Sequence, residues 1–180
     1  HQHKMLHLDI KPDNIFITDD NKAVMTDFGA AREVLSKEGN FIRPMYTPGF
    51  AAPEMYRRDS SMGPWTDIYA IGACIYACMQ GYPPNDAPQR LEKDRLGLSL
   101  SRQRGVYSDN LIEVVEWCMS LDPLSRPQSV FALQKELSRE SERRYTKLSV
   151  GEKVRLQFDT LVTDTKKNLT KATRFGAKTK

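Results

Sequence analysis

Ile68 to Met79 is an unbroken run of twelve residues without a charge. Crossing a bilayer takes ~18–20 apolar residues, so the run is too short to span one and reads as a buried helix. Thr66 stands before it as a candidate N-cap with Asp67 in the first turn, and Gly81 and Pro83-Pro84 stop it after about Gln80. A helix apolar on nearly every face has to lie at the centre of a domain, with other elements packed around it. With 180 residues and 39% hydrophobic content there is material for about one such domain.

The charge is unevenly distributed. Residues 1–137 carry 15 Lys/Arg against 18 Asp/Glu, whereas residues 138–180 carry 12 against 5. A mildly acidic body of net −3 is thus followed by a basic tail of net +7, which sets a boundary at 137/138. The tail is patterned as a helix between Glu152 and Leu169. It reads as a solvated extension, with contact to an anionic surface as the sharper alternative. Few aromatics, Phe158 and Phe175 among them, interleave with its cations, so nucleic acid is not expected. Cys74, Cys78 and Cys118 are an odd set. Cys74 and Cys78 lie one turn apart in the apolar run, so all three read as reduced core residues of a cytoplasmic protein. His1 and His3 read as surface residues rather than metal ligands. The chain starts with histidine, has no signal-peptide pattern, and is expected to be a fragment of a longer protein, its first six residues ending a helix.

The chemistry concentrates in His7-Leu8-Asp9-Ile10-Lys11-Pro12-Asp13-Asn14. An acid, a cation and an amide sit within six positions, so one short loop can aim all three into a cleft. Asp27-Phe28-Gly29 follows thirteen residues after Asn14, and Ala52-Pro53-Glu54 follows that. Between them, residues 14–18 and 23–26 read as two short strands joined by an Asp19–Lys22 turn.

The loop resembles the protein kinase catalytic loop H-R-D-x-K-x-x-N, with leucine in place of arginine, and the later motifs resemble D-F-G and A-P-E. The resemblance is to a Hanks-type serine/threonine kinase, more bacterial than eukaryotic, and covers residues 1–137. It implies a mainly α fold with a small β-hairpin, the large C-terminal lobe of a kinase. It also implies ATP and Mg2+, with a protein as phosphate acceptor. Asp9 would accept or orient the acceptor's hydroxyl proton and Lys11 would offset charge on the transferring phosphate. Asn14 and Asp27 would hold magnesium, Phe16 would face the adenine, and Gly29 would free the backbone at the start of the activation segment. His7 would pack against Phe28 and bond to backbone, and Asp67 would anchor the loop from beneath. Singly, each acid could be a helix cap and Lys11 a surface charge; the combined spacing favours the chemical reading.

Thr47-Pro48-Gly49-Phe50-Ala51-Ala52-Pro53-Glu54 resembles T-P-x-Y-x-A-P-E. That implies a Thr47 hydroxyl bridging Asp9 and Lys11, and Ser/Thr rather than Tyr as acceptor. Asp122 to Pro127 resembles the D-P-x-x-R-P turn, which implies an Arg126–Glu54 ion pair. Leu8 departs from the pattern: it cannot pair with a phosphate, so activity is expected not to depend on phosphorylation of Ser36, Tyr46 or Thr47.

Further along, Arg90 to Leu98 reads as one weak helix. Asn110-Leu111-Ile112-Glu113 reads as a capping box opening a helix, with Leu111, Val114, Val115, Cys118 and Met119 on its buried face. Ser129 reads as the cap of a last helix that buries Val130, Leu133 and Leu137.

The sequence contains no Gly-rich loop, no phosphate-gripping strand lysine and no glutamate partner for one. The small lobe is therefore expected to be missing, the missing N-terminal lobe to be a partner, and the chain alone to be inactive as a transferase. A non-catalytic pseudokinase-like module is the alternative. A small-molecule kinase is a third reading, opposed by Glu54 and Arg126, which serve a peptide-binding segment.

Overall fold

The computed structural model describes residues 5–28, 32–33 and 46–147, with side chains through residue 139 except at 32–33. Gly29, Ser36, the first four residues and the tail helix expected at 152–169 lie outside these. The chain divides into two compact units, His1–Leu137 and Ser138–Lys180. The first is mostly helical with small antiparallel sheets.

Met5–Leu6 is not the end of a helix. It forms a strand, β1, paired antiparallel with a later strand at Arg32–Glu33. The hairpin strands are β2, Ile15–Ile17, and β3, Ala23–Met25, with Phe16 opposite Val24; Arg32–Glu33 is β4. Their turn closes where Asn21 takes φ 59°, a left-handed conformation that asparagine tolerates.

The central helix, α1, is Pro64–Gln80. It starts two residues earlier than Thr66, with Gly63 as cap and Pro64 at the first helical position, where a missing N–H costs nothing. Thr66 lies inside the first turn, and its hydroxyl accepts the Gly63 N–H at 3.2 Å. Gly81, at φ 79°, ends the helix by donating to the Ala77 carbonyl. Ile68, Tyr69, Ala70, Ala73, Cys74, Tyr76 and Met79 are buried, but Cys78 is exposed. All three cysteines are free.

Two short helices, α2 (Ala87–Glu92) and α3 (Leu96–Ser101), replace the single helix expected over 90–98. The next helix, α4, is Asp109–Cys118, and its cap is Ser108, not Asn110: the Ser108 hydroxyl accepts the Leu111 N–H at 3.2 Å. Ile112 rather than Leu111 joins Val114, Val115, Cys118 and Met119 in the core. The crossing of α1 with α4 is close at Gly72, where a Cβ would lie 2.7 Å from Cys118 Cβ. Tyr69, Ala73, Tyr76, Leu100, Ile112, Val115 and Met119 pack together around this crossing.

The last helix, α5, is Val130–Lys147, with the Ser129 hydroxyl accepting the Ala132 N–H. Leu133 is buried, whereas Val130 and Leu137 are exposed, so the expected three-residue face reduces to one. No helix of the described residues is long and apolar enough to cross a membrane.

Candidate active site

A second apolar group seats the loop at residues 7–14. Ile10 packs on Ala70 and Cys74 of α1, with Ile15, Met25 and Phe50 around them. Beneath the loop, the Asp67 carboxylate accepts the His7 N–H at 2.8 Å and the Leu8 N–H at 2.9 Å. Burial pushes the Asp67 carboxyl up from 3.8, and the two N–H donors oppose that. Leu8 is buried and takes φ 63°, a strained value for leucine that the Asp67 bond and the packing hold in place.

His7 faces Phe28, with ring centroids 4.9 Å apart. Its Nε2 lies 3.3 Å from the Thr26 carbonyl, and the Asp9 N–H points to its Nδ1 at 3.4 Å. These contacts fit the tautomer with the proton on Nε2. The ring therefore links the loop to the residue before Asp27.

The polar groups of the loop converge. Lys11 Nζ lies 2.9 Å from Asp9 Oδ2 and donates to Thr47 Oγ1 at 3.2 Å. Thr47 Oγ1 in turn donates to Asp9 Oδ1 at 2.9 Å. The Asn14 amide NH2 donates to the Asp9 carbonyl at 2.9 Å and to Asp9 Oδ2 at 3.2 Å. That commitment fixes the orientation of the buried Asn14 side chain and leaves its oxygen as an acceptor. The Thr26 N–H and hydroxyl both bond the Asn14 carbonyl, which places Asp27 next to Asn14 along the backbone. Asp27 is exposed, at φ 57°. Phe16 is 63% exposed on β2, beside exposed Val24.

A second cluster holds the other end of the segment. Arg126 donates to Glu54 at 2.8 and 3.0 Å and to the carbonyls of Ser120, Trp65 and Leu121. Thr66 also donates to Glu54, at 2.9 Å, and the Arg126 guanidinium lies over the Tyr69 ring. Sequence reasoning missed Thr66 as the second partner of Glu54 and missed Tyr69 beneath Arg126. It also missed Arg90, whose buried guanidinium bonds Asp94, Tyr69 and the Met119 carbonyl. The i,i+4 spacing of Arg90 and Asp94 was the available signal.

The family described as "Protein kinase domain" matches residues 1–138. The chain belongs to this family. Among curated kinases it is similar to serine/threonine-protein kinase STE20 of Candida glabrata, 33% identical over 132 residues, which cover 70% of this chain and 14% of that one. It is also similar to ribosomal protein S6 kinase alpha-3 of Homo sapiens, 28% identical over 147 residues, 74% of this chain and 20% of that one. This kinase chain thus spans a fifth or less of the length of these relatives. Among solved structures, "PpkA-294 apo form" superposes with a TM-score of 0.60 at 36% identity, covering 73% of this chain and 46% of that one.

Proposed function

We propose that this kinase domain serves transfer of the ATP γ-phosphate to serine or threonine hydroxyls of protein substrates. The observation that carries the reading is the closed network of Asp9, Lys11, Thr47 and Asn14. Asp9 is the group that orients the acceptor hydroxyl and takes up its proton. Lys11, held between Asp9 and Thr47, presents a positive charge where the transferred phosphate accumulates negative charge. Thr47 fixes the distance between them and belongs to a segment that favours Ser/Thr acceptors.

The donor set fits magnesium. Asn14 and Asp27 offer hard oxygen ligands, and among the described residues no cluster of three or more His, Cys, Asp or Glu forms a protein cage. Magnesium characteristically takes one or two protein oxygens, with phosphate oxygens and water completing the shell. When bound, it neutralises charge on the phosphates. Phe16 and Val24 offer an open apolar surface for the adenine.

The sequence contains no phosphate-gripping strand lysine and no Gly-rich loop. The 180 residues alone should accordingly bind ATP weakly and turn over little, and require an N-terminal kinase lobe as partner. Leu8 places no cation beside the segment, which supports activity independent of phosphorylation there. The three free cysteines support a reducing, cytoplasmic setting.

The test is transfer of labelled phosphate from ATP and magnesium to a Ser/Thr-rich protein. It is run with the 180-residue chain and with the chain extended by any upstream coding sequence, each with and without Asp9→Asn. Transfer that disappears with Asp9→Asn supports the enzyme. Neither transfer nor ATP binding in any form would leave the binding module as the better reading.

A further inference from the structure

A groove of about 490 Å³ opens where α1 ends and α2 and α3 begin. It shares no lining residue with the loop at 7–14. Tyr76 on its wall lies nine residues beyond Asp67 along α1, or about 14 Å. Its volume is in the range of binding pockets, ~300–1,000 Å³.

The wall is built and braced. Gly81 ends α1 in a left-handed turn that brings Tyr82 edge-on to Tyr76, with centroids 6.3 Å apart. The Tyr76 hydroxyl pairs with Ser99 Oγ at 2.8 Å, Gln80 donates to the Ser99 carbonyl, and Gln103 donates to Gln80. Leu98 and Tyr82 remain 67% and 54% exposed at this wall, so the groove offers uncovered apolar surface.

The rim is cationic. Lys93, Arg95 and Arg102 line it. Residues 89–104 hold five Lys/Arg and two Asp/Glu, within a body whose net charge is negative. Asp94 is the only acid of the lining, and its charge is already engaged. One oxygen accepts Arg90 Nε and the Leu96 N–H, and the other accepts the second Arg90 nitrogen at 2.7 Å. Among the described residues, no ion pair neutralises Lys93, Arg95 or Arg102.

We propose that this groove is a docking site for an extended acidic segment of another protein. Its cations flank α3, with Arg95 before it and Arg102 after it, seven residues and about 10 Å apart. An extended chain covers that distance in about three to four residues, and side chains four residues apart face the same way with one between them. Two carboxylates spaced so can meet the two ends of the rim while an apolar side chain between them covers Leu98 and Tyr82. Strands of nucleic acid would satisfy the cations but offer no aliphatic group to that surface. The basic tail of this chain has the wrong sign to occupy it. Docking here does not depend on the phosphate-transfer reading, because neither ATP nor Asp9 takes part.

The experiment is fluorescence anisotropy on the full 180-residue chain without ATP. The probe is a fluorescein-labelled glutamate-rich peptide with a central leucine–proline pair. Saturable binding that weakens with added salt is expected. Lys93→Glu combined with Arg102→Glu should weaken it at least about tenfold, and Leu98→Ser several-fold. Arg58→Glu, which matches the charge change of the single groove variant Arg95→Glu at an exposed site outside the groove, should leave it within about twofold. Arg95→Glu is the second groove variant, and circular dichroism reports whether each variant folds; the substituted side chains are exposed, so folding should hold. The proposal is overturned by absence of binding, by an equal loss in Arg58→Glu, or by a peptide with serines for the leucine–proline pair binding as well. It is also overturned if an oligonucleotide of equal charge or an anionic vesicle binds the same residues more tightly.

Discussion

Arg126 and Glu54, 72 positions apart, form a two-pronged ion pair at 2.8 and 3.0 Å with both side chains buried. Thr66 completes the carboxylate, and three backbone carbonyls complete the guanidinium. The pair ties the end of the segment around residues 46–56 to the turn after α4. Removing one partner strands the other charge away from water, whereas replacing both with apolar groups of similar volume does not. Arg126→Met should therefore lower unfolding stability by about 3–5 kcal/mol. Adding Glu54→Leu to it should recover a substantial part. Urea denaturation of the two variants checks this, and a double variant no better than the single would refute it.

Asp67 satisfies two neighbouring backbone donors with one carboxylate. An asparagine there has only one oxygen and turns an NH2 toward one of the donors. Asp67→Asn should cost about 1–3 kcal/mol through the orphaned N–H. It should also release the strained backbone of Leu8, so the amide hydrogens of His7 and Leu8 should exchange faster. Unchanged exchange would mean that the packing around Ile10 alone holds the loop.

The Thr47 hydroxyl is both donor to Asp9 and acceptor from Lys11. Thr47→Val keeps the shape and removes both bonds. In any form of the protein that transfers phosphate, kcat should drop about 10–100-fold with little change in KM for ATP, while Thr47→Ser should retain most of the rate. Equal losses in the two variants would point to the lost methyl rather than the hydroxyl.

Burial pushes the thiols of Cys74 and Cys118 up to about 12. At about pH 8 their thiolate fraction is on the order of 10⁻⁴, and neither is accessible. Cys78 is exposed. Native protein treated with iodoacetamide should therefore gain a single adduct, on Cys78, and urea-unfolded protein should gain three. Peptide mass spectrometry distinguishes the cases. Native labelling of Cys74 would show that the contact between Ile10 and α1 opens readily.

What could be read from the chain and what could not divide along local and non-local lines. The loop, the hairpin and α1 are specified by residues adjacent in sequence: alternation, turn residues and an apolar run. The β1–β4 pairing joins residues 26 to 28 positions apart through two-residue strands, too short to carry a period. At the start of α1, Thr66 and Gly63 both carry capping signals, and Pro64 was the residue that decided between them. Cys78 shares an approximate face with Cys74, but a four-residue step rotates a helix by about 400°, and near the end of α1 that offset leaves the side chain in solvent. Periodicity identified Val130, Leu133 and Leu137 as neighbours on α5 without stating what covers them. In the site, spacing named the polar residues, whereas Thr66 and Tyr69 became partners of the Glu54–Arg126 pair only through the packing of α1.

Arg90 and Asp94 give the groove its one acid-sensitive pair. Burial pulls the Asp94 carboxyl up, but the Arg90 fork and the Leu96 N–H outweigh it and hold the group below 3.8. A carboxylate depressed in the folded state contributes stability that is fully present above its unfolded pKa and is lost as pH falls through the folded one. Asp94→Asn should cost on the order of 1–2 kcal/mol at neutral pH, less than a fully buried pair because Asp94 is partly exposed. The difference between wild type and variant should stay constant down to the ordinary carboxylate value of 3.8 and close below it. Urea midpoints of both proteins across that range measure the closure. A difference that persisted unchanged in strong acid would show that Asp94 acts through its bond geometry rather than its charge.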